Sequence, residues 1–266
     1  MRSVLALMRA SYLTAASYRL ALVLSFVGLM VSVVPLYFVS DALQPVVAES
    51  IASEGGQYFG FLLMGFASIY VISAATSALP GALAGSIGSG TLEALLVTRT
   101  PLPFTLLGLI AYPVAQAFAR ALILLLGAAV LGVPIAWASL PLAMVVMLLV
   151  LAAYLGVGLI GGSLVLVFRT SGPLSTGVIA LSGLLGGVYY STTVIPAWLQ
   201  DLSAFVPLTY GLRAIRMLLL GGAPVREVVN DLSAMTFIAV VLLSVSSAIF
   251  SAALRYARSS GTLSQY

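Results

Sequence analysis

The run LPLAMVVMLLVLAAYLGVGLIGGSLVLVF, Leu140–Phe168, decides the fold. It holds no charged residue and exceeds the roughly 20 apolar residues with which a helix crosses a bilayer core. It is long enough to tilt or to extend past the membrane. Working outward, five more segments meet the same standard: about 20–40, 58–79, 104–131, 173–192 and 232–255. The whole chain of 266 residues is 62% hydrophobic and 7% charged. A soluble domain carries about a quarter charged residues, so this composition cannot cover a wetted surface. The expectation is an all-α polytopic membrane protein, residues 1–266 forming a single transmembrane domain.

Orientation follows from arginine, because basic residues are retained on the cytoplasmic side. There is no lysine, and the eleven basic residues are all Arg. With six spans, Arg2, Arg9, Arg19, Arg99, Arg169, Arg255 and Arg258 share one side with Glu93. The other side holds Asp41, Glu49, Glu54, Asp201, Glu227 and Asp231, with Arg213, Arg216 and Arg226. This division places both termini in the cytoplasm and makes the 41–57 loop external. The first residues do not read as a cleaved signal, since Arg9 and Arg19 interrupt the apolar stretch. Arg2 and Arg9 fall on one face, with Val4, Leu5, Met8 and Leu13 available to lipid, so 1–19 reads as a helix lying in the interface.

Between the second and third spans runs GSGTLEALLVTRTP, residues 88–101. Gly90 suits an N-cap, Glu93 follows near the positive end of the helix dipole, and Leu92, Leu95 and Leu96 form one apolar face. Arg99 sits at the helix end and Pro101 stops it. The preceding GSIGSG reads as a flexible turn. A helix this short is marginal alone, so a membrane surface or a partner must hold it. Between spans five and six, residues 191–230 are too long for a turn and too broken by Pro196, Pro207, Gly211, Gly221 and Pro224 for one span.

Two stretches resemble ABC-2 type permeases, the membrane subunits of one class of ABC exporter. In SGTLEALLVTRTPLPFTLLGLI the matching residues are Gly90, Thr91, Leu92, Glu93, Leu95, Leu96 and Thr98. They correspond to the family's coupling helix, which docks an ATPase. Arg99 departs from the family, which often has Pro there, and GSIGS stands where charged residues are common. In GGVYYSTTVIPAWLQDLSAFVPLTYGLRAIRMLLLGG, Pro196, Trp198, Leu199, Pro207, Leu208, Thr209 and Tyr210 match a segment that shapes re-entrant helices in the outer leaflet. The resemblance implies six transmembrane helices and a second permease chain, expected to be identical. It also implies a location in the cell membrane and outward transport using ATP and Mg held by a separate nucleotide-binding subunit.

The residues themselves agree on where the fuel must come from. A phosphate loop of the G-x-x-x-x-G-K-[ST] type needs a Lys, which this chain lacks. No cofactor, metal or nucleic-acid partner is expected, and with no His or Cys a catalytic site is hard to assemble. An ion-coupled secondary transporter or a membrane assembly factor stays as the alternative. The first would need intramembrane carboxylates or broken helices at the midplane, and the spans contain no clear acid. Within the spans, Arg120 is costly and must face protein or water, with Gln116 on the same face. Substrate contact, lipid head groups or an internal partner all remain open for this pair. Arg213 and Arg216, three apart, can attract acidic lipid or anionic cargo or form a solvated face, with Asp201 a possible partner. The glycines of GLIGG and SGLLGG can serve close helix contact within or between chains.

Overall fold

Backbone polar groups that no water can reach must be satisfied within the protein, and the described residues do so chiefly through helices. The computed structural model describes residues 19–91, 101–168, 170 and 172–259, together with Arg9, Tyr12 and Leu13. In chain order the helices are α1 (Arg19–Val47), α2 (Tyr58–Gly88), α3 (Leu102–Val130), α4 (Leu140–Phe168), α5 (Gly172–Leu185), α6 (Ala197–Ser203), α7 (Pro207–Leu219) and α8 (Val225–Ser259). Short 3-10 turns at Ala52–Glu54, Trp137–Ser139 and Thr192–Val194 punctuate the connections. Among the described residues, five helices are long and apolar enough to cross a membrane. A sixth crossing arises if α6 and α7, bent by 91°, count as one broken span.

α2 is the hub. Its most apolar window is 72% buried, against 18% for α1 and 28% for α3 and α8, so it lies inside the others. α1, α3, α4, α5 and α7 all pack on it, and α8 packs on α4 and α7. The principal core gathers Val71, Ile72, Val150, Tyr154, Leu212 and Met235 where α2, α4, α7 and α8 meet. α4 has the bounds its apolar run implied. Its Gly158 faces α2 so closely that an added Cβ would overlap the carbonyl oxygen of Ala75. Gly156 and Gly162 lie against Leu242 and Phe250 of α8, and Gly161 lies against Pro80 of α2. In the second glycine run, Gly183 lies near Ile69 of α2, and Gly186 against Leu208 of α7. Both stripes thus serve packing within the chain.

Four boundaries differ from those expected, each for a tertiary reason. α1 continues through Asp41 to Val47, shortening the connection to α2. Gln44 sets that loop: its amide nitrogen donates to the Gly56 carbonyl at 2.6 Å, and its oxygen accepts from the Tyr58 N–H at 2.7 Å. α2 does not stop before Pro80 but runs on to Gly88, so GSIG is helix rather than a flexible turn. Proline lacks the N–H that would satisfy the carbonyl four residues earlier. The Ser175 hydroxyl of α5 donates to that Thr76 carbonyl at 3.1 Å instead. α5 has 14 residues in place of a span over 173–192. At 1.5 Å per residue it covers about 21 Å, short of the roughly 30 Å core. α8 begins at Val225 and draws Glu227 and Asp231 into its first turns.

Candidate functional site

Three places carry the polar chemistry of this apolar body. The first is the turn after α2. Gly90 has φ +67°, its N–H bonds the Ile87 carbonyl at 3.0 Å, and the Thr91 N–H reaches back to Ser86 at 2.9 Å. This pair of bonds is the Schellman closure, which favours glycine in the left-handed position. Gly90 therefore ends α2, where the N-cap reading had it opening the next helix. Leu92, Glu93, Leu95, Leu96, Thr98 and Arg99 lie outside the described residues. Description resumes at Pro101, whose extended backbone (φ −56°, ψ 134°) leads into α3. At the N-terminus, Arg9, Tyr12 and Leu13 are helical and exposed, and the Tyr12 ring meets Tyr112 of α3 edge-on at 6.2 Å. The rest of 1–18 lies outside the described residues.

The second place is Arg120 on α3. Its Nη2 donates to the Ser25 hydroxyl of α1 at 2.7 Å, and its guanidinium carbon stands 5.6 Å from the Tyr70 ring centroid. Its Nε is buried with no partner. Arg120 and Gln116 line a cavity of about 230 Å³ between α2 and α3, with Tyr70, Ser73 and Ser77 across from them. The sequence grouping of Gln116 with Arg120 holds, and the internal partner is a serine of α1.

The third place is the end of the helix cluster opposite the Gly90 turn, where Arg213 and Arg216 part company. Arg216 is 2% exposed and uses all five N–H donors. Nη1 bonds Glu54 Oε2 at 3.1 Å and the Gly187 carbonyl at 2.9 Å. Nη2 bonds the carbonyls of Phe61 at 2.9 Å and Val188 at 3.1 Å, and Nε bonds Phe61 at 3.2 Å. The Phe61 ring lies under the guanidinium at 3.2 Å. The Tyr58 hydroxyl adds a bond to the Tyr189 carbonyl at 2.9 Å. The non-helical turn after α5 thus has its carbonyls taken by side chains, as irregular backbone away from water requires.

Arg213 instead faces outward, 46% of its side chain exposed. It pairs with Asp231 through Nε at 2.9 Å and through Nη2. The shared solvated face expected for these two arginines is corrected, and neither pairs with Asp201. Asp201 is exposed and has no ion pair among the described residues.

In the bent pair, Pro196 and Pro207 start the two helices at N-cap and first-turn positions, where a missing N–H costs nothing. Thr209 donates to the Ser203 carbonyl at 2.8 Å and Tyr210 to Ala204 at 3.0 Å, pinning the corner. Trp198 and Phe205 project outward, 63% and 80% exposed. Among the described residues no group of three or more His, Cys, Asp or Glu is placed to hold a metal.

A sequence model of the ABC-2 type transporter family matches residues 1–220, which is most of the chain. The chain belongs to that family. It is accordingly a multi-pass membrane protein and a permease component of an ABC-type transporter. No curated protein matches it. The match takes in the first stretch that carried the resemblance and all but the last two residues of the second.

In this ABC-2 chain, sequence reasoning missed Glu54, Ser25 and Asp231 as partners of Arg216, Arg120 and Arg213. For Arg216 a signal was present. Leu208, Leu212, Ile215 and Leu219 repeat at helical spacing and are all buried. On a helical wheel at about 100° per residue, Arg216 falls beside that stripe and Arg213 beyond its edge. The identity of Glu54 had no such signal, since it lies 162 positions away.

Proposed function

We propose that this chain is the membrane half of an ABC exporter. It moves substrate outward across the cell membrane, with both termini in the cytoplasm. ATP is hydrolysed with Mg by a separate nucleotide-binding subunit that docks on residues 90–99. Two copies of the chain, side by side in lipid, enclose the path, and the chain itself catalyses no reaction.

The observation that carries this reading is the family match over residues 1–220, which includes the 90–99 segment between α2 and α3. Two features support it. The chain has no Lys for a phosphate loop, so energy must enter from outside it. The Schellman turn at Gly90 ends a buried helix beside the segment offered to the partner, so a displacement there is passed to the hub of the bundle. The α6–α7 corner, with broken backbone pinned by Thr209 and Tyr210, supports a re-entrant element in the outer leaflet.

The test is co-purification with a candidate ABC ATPase subunit, followed by ATPase assay in nanodiscs. The expected result is a stable complex whose turnover depends on the permease. Glu93→Arg should abolish stimulation while leaving membrane insertion unchanged. Full stimulation by Glu93→Arg would defeat the docking assignment, and cargo movement by the chain alone would defeat the whole reading.

A further inference from the structure

The α1–α2–α3 face contains a split groove that the transporter reading leaves unassigned. Its polar half is the cavity of about 230 Å³ walled by Ser73, Ser77, Gln116 and Arg120. Its apolar half is a second cavity of about 230 Å³ lined by Leu29, Val33, Leu36, Phe66 and Leu124. Tyr70 lines both and stands between the two halves.

The register is consistent along all three helices. On α3, Gln116, Arg120 and Leu124 follow at steps of four, from polar to apolar. α2 runs antiparallel, and its Phe66, Tyr70, Ser73 and Ser77 descend in matching order. On α1, Ser25 stands beside Arg120 while Leu29, Val33 and Leu36 continue toward the apolar end. The groove therefore has one charged end and one greasy end.

The charged end is underused. Among the described residues Arg120 has no acidic partner, and its Nε is buried without one. The side chains of Ser73, Ser77 and Gln116 make no hydrogen bond within the described protein, though each lines the cavity. A cation at this depth is expensive unless paired. Arg120 stands four residues, or about 6 Å, along α3 from Gln116 at the helix midpoint. The complementary occupant is therefore an anion held on Arg120 whose apolar part follows the groove.

We propose that this groove binds an anionic amphiphile, with its carboxylate or phosphate on Arg120 and Gln116 and its acyl chain along Leu124, Phe66 and Val33. Resting on the exporter reading, this makes a single-headed acidic amphiphile the cargo class that enters through the α1–α3 face. The Arg120 charge selects the head, and Ser73 and Ser77 supply neutral hydrogen bonds around it. The length of the apolar half requires a chain rather than a small free anion.

The test uses the full chain in nanodiscs with no ATPase present. The probes are a diazirine-bearing hexadecanoic acid, its neutral hexadecanol analogue and a diazirine-bearing lysophosphatidic acid. Cross-links are mapped by mass spectrometry. One or both anionic probes should label α1, α2 and α3 peptides in preference to the alcohol, and the stronger of the two identifies the head. Arg120→Gln should weaken anionic labelling by at least about tenfold, the scale of one charge-assisted bond, and leave the alcohol unchanged. Arg120→Lys should keep the acid preference, and Leu124→Trp should block all three probes.

Equal labelling by acid and alcohol overturns the proposal, as does competition by propionate as effective as by the long-chain acid. Should Arg120→Gln fail to assemble, Arg120→Lys and Leu124→Trp decide it. Failure of binding alongside intact ATPase stimulation removes the site and leaves the exporter reading standing. Loss of co-purification with intact binding does the reverse.

Discussion

Arg216 of α7 meets Glu54 at 3.1 Å, 162 positions away in the chain, with both side chains buried. The pair closes the end of the molecule opposite Gly90, because the same guanidinium also holds Phe61 at the start of α2 and the turn after α5. Removing one member of a buried pair leaves the other charge uncompensated, at a cost of about 3–5 kcal/mol. Arg216→Met should therefore lower the thermal midpoint in detergent sharply and reduce yield. Arg213→Gln should have a smaller effect, since that side chain is half exposed and a glutamine amide can still donate to the buried Asp231. Fluorescence-detected size exclusion after heating compares them. Equal losses from the two variants would refute the asymmetry.

The glycines of α4 make a second contrast. A methyl group at Gly158 runs into the Ala75 carbonyl oxygen, which is backbone and cannot rotate away. Gly158→Ala should cost about 1–3 kcal/mol, the usual scale of overpacking. Gly127 on α3 has nothing within 4 Å of its missing Cβ. Gly127→Ala should be neutral, or stabilise by up to about 1 kcal/mol through helix propensity. Thermal melts of the two variants should move apart, and a destabilised Gly127→Ala with a silent Gly158→Ala would contradict the packing.

On the proposed function, Gly90 stands where the fold passes into the segment that docks the ATPase. An L-residue in the left-handed region costs roughly 1–2 kcal/mol, so Gly90→Val should disturb the exit from α2 without touching the bundle. Partner-stimulated ATPase activity should fall while the melting temperature of the purified permease holds. Gly90→Asn, better tolerated in that conformation, should retain more activity. Identical activities for the two would argue that the turn does not set the docking geometry.

The absence of cysteine makes topology easy to read. In a Thr91→Cys variant, an impermeant maleimide applied to intact cells should not react. Phe205→Cys, on the exposed α6–α7 corner, should react. A reversed pattern would invert the orientation drawn from the arginine distribution.

How much of this was legible follows from what each feature depends on. The bounds of α4 could be read because apolar length and its Phe-Arg exit are local properties. The pairing of Gln116 with Arg120 on one face was equally local. Arg216 was readable in part, since the stripe Leu208, Leu212, Ile215 and Leu219 already placed it beside the core. Ser25, Glu54 and Asp231 were not readable as partners, because hydrogen bonds across tens of residues leave no periodic trace. The short α5 hid behind an apolar composition that continues past Leu185 into Gly186, Gly187 and Val188. Those residues stay apolar while leaving the helix, and only the Arg216 contacts show why.

The continuation of α2 past Pro80 offers the sharpest test of such a tertiary substitution. The Thr76 carbonyl would ordinarily accept from residue 80, but proline has no N–H, and the Ser175 hydroxyl supplies the bond at 3.1 Å. In Ser175→Ala the carbonyl is buried and unsatisfied, so stability should fall by about 1–3 kcal/mol. Pro80→Ala restores the N–H and lets Thr76 bond within its own helix, at the cost of a packing contact with Gly161. Ser175→Ala added to Pro80→Ala should then cost clearly less than Ser175→Ala alone. A double-mutant cycle on thermal stability measures the difference as a coupling energy. Additive losses in that cycle would mean that Ser175 is not the surrogate for the missing N–H, and that some other contact carries α2 through its proline.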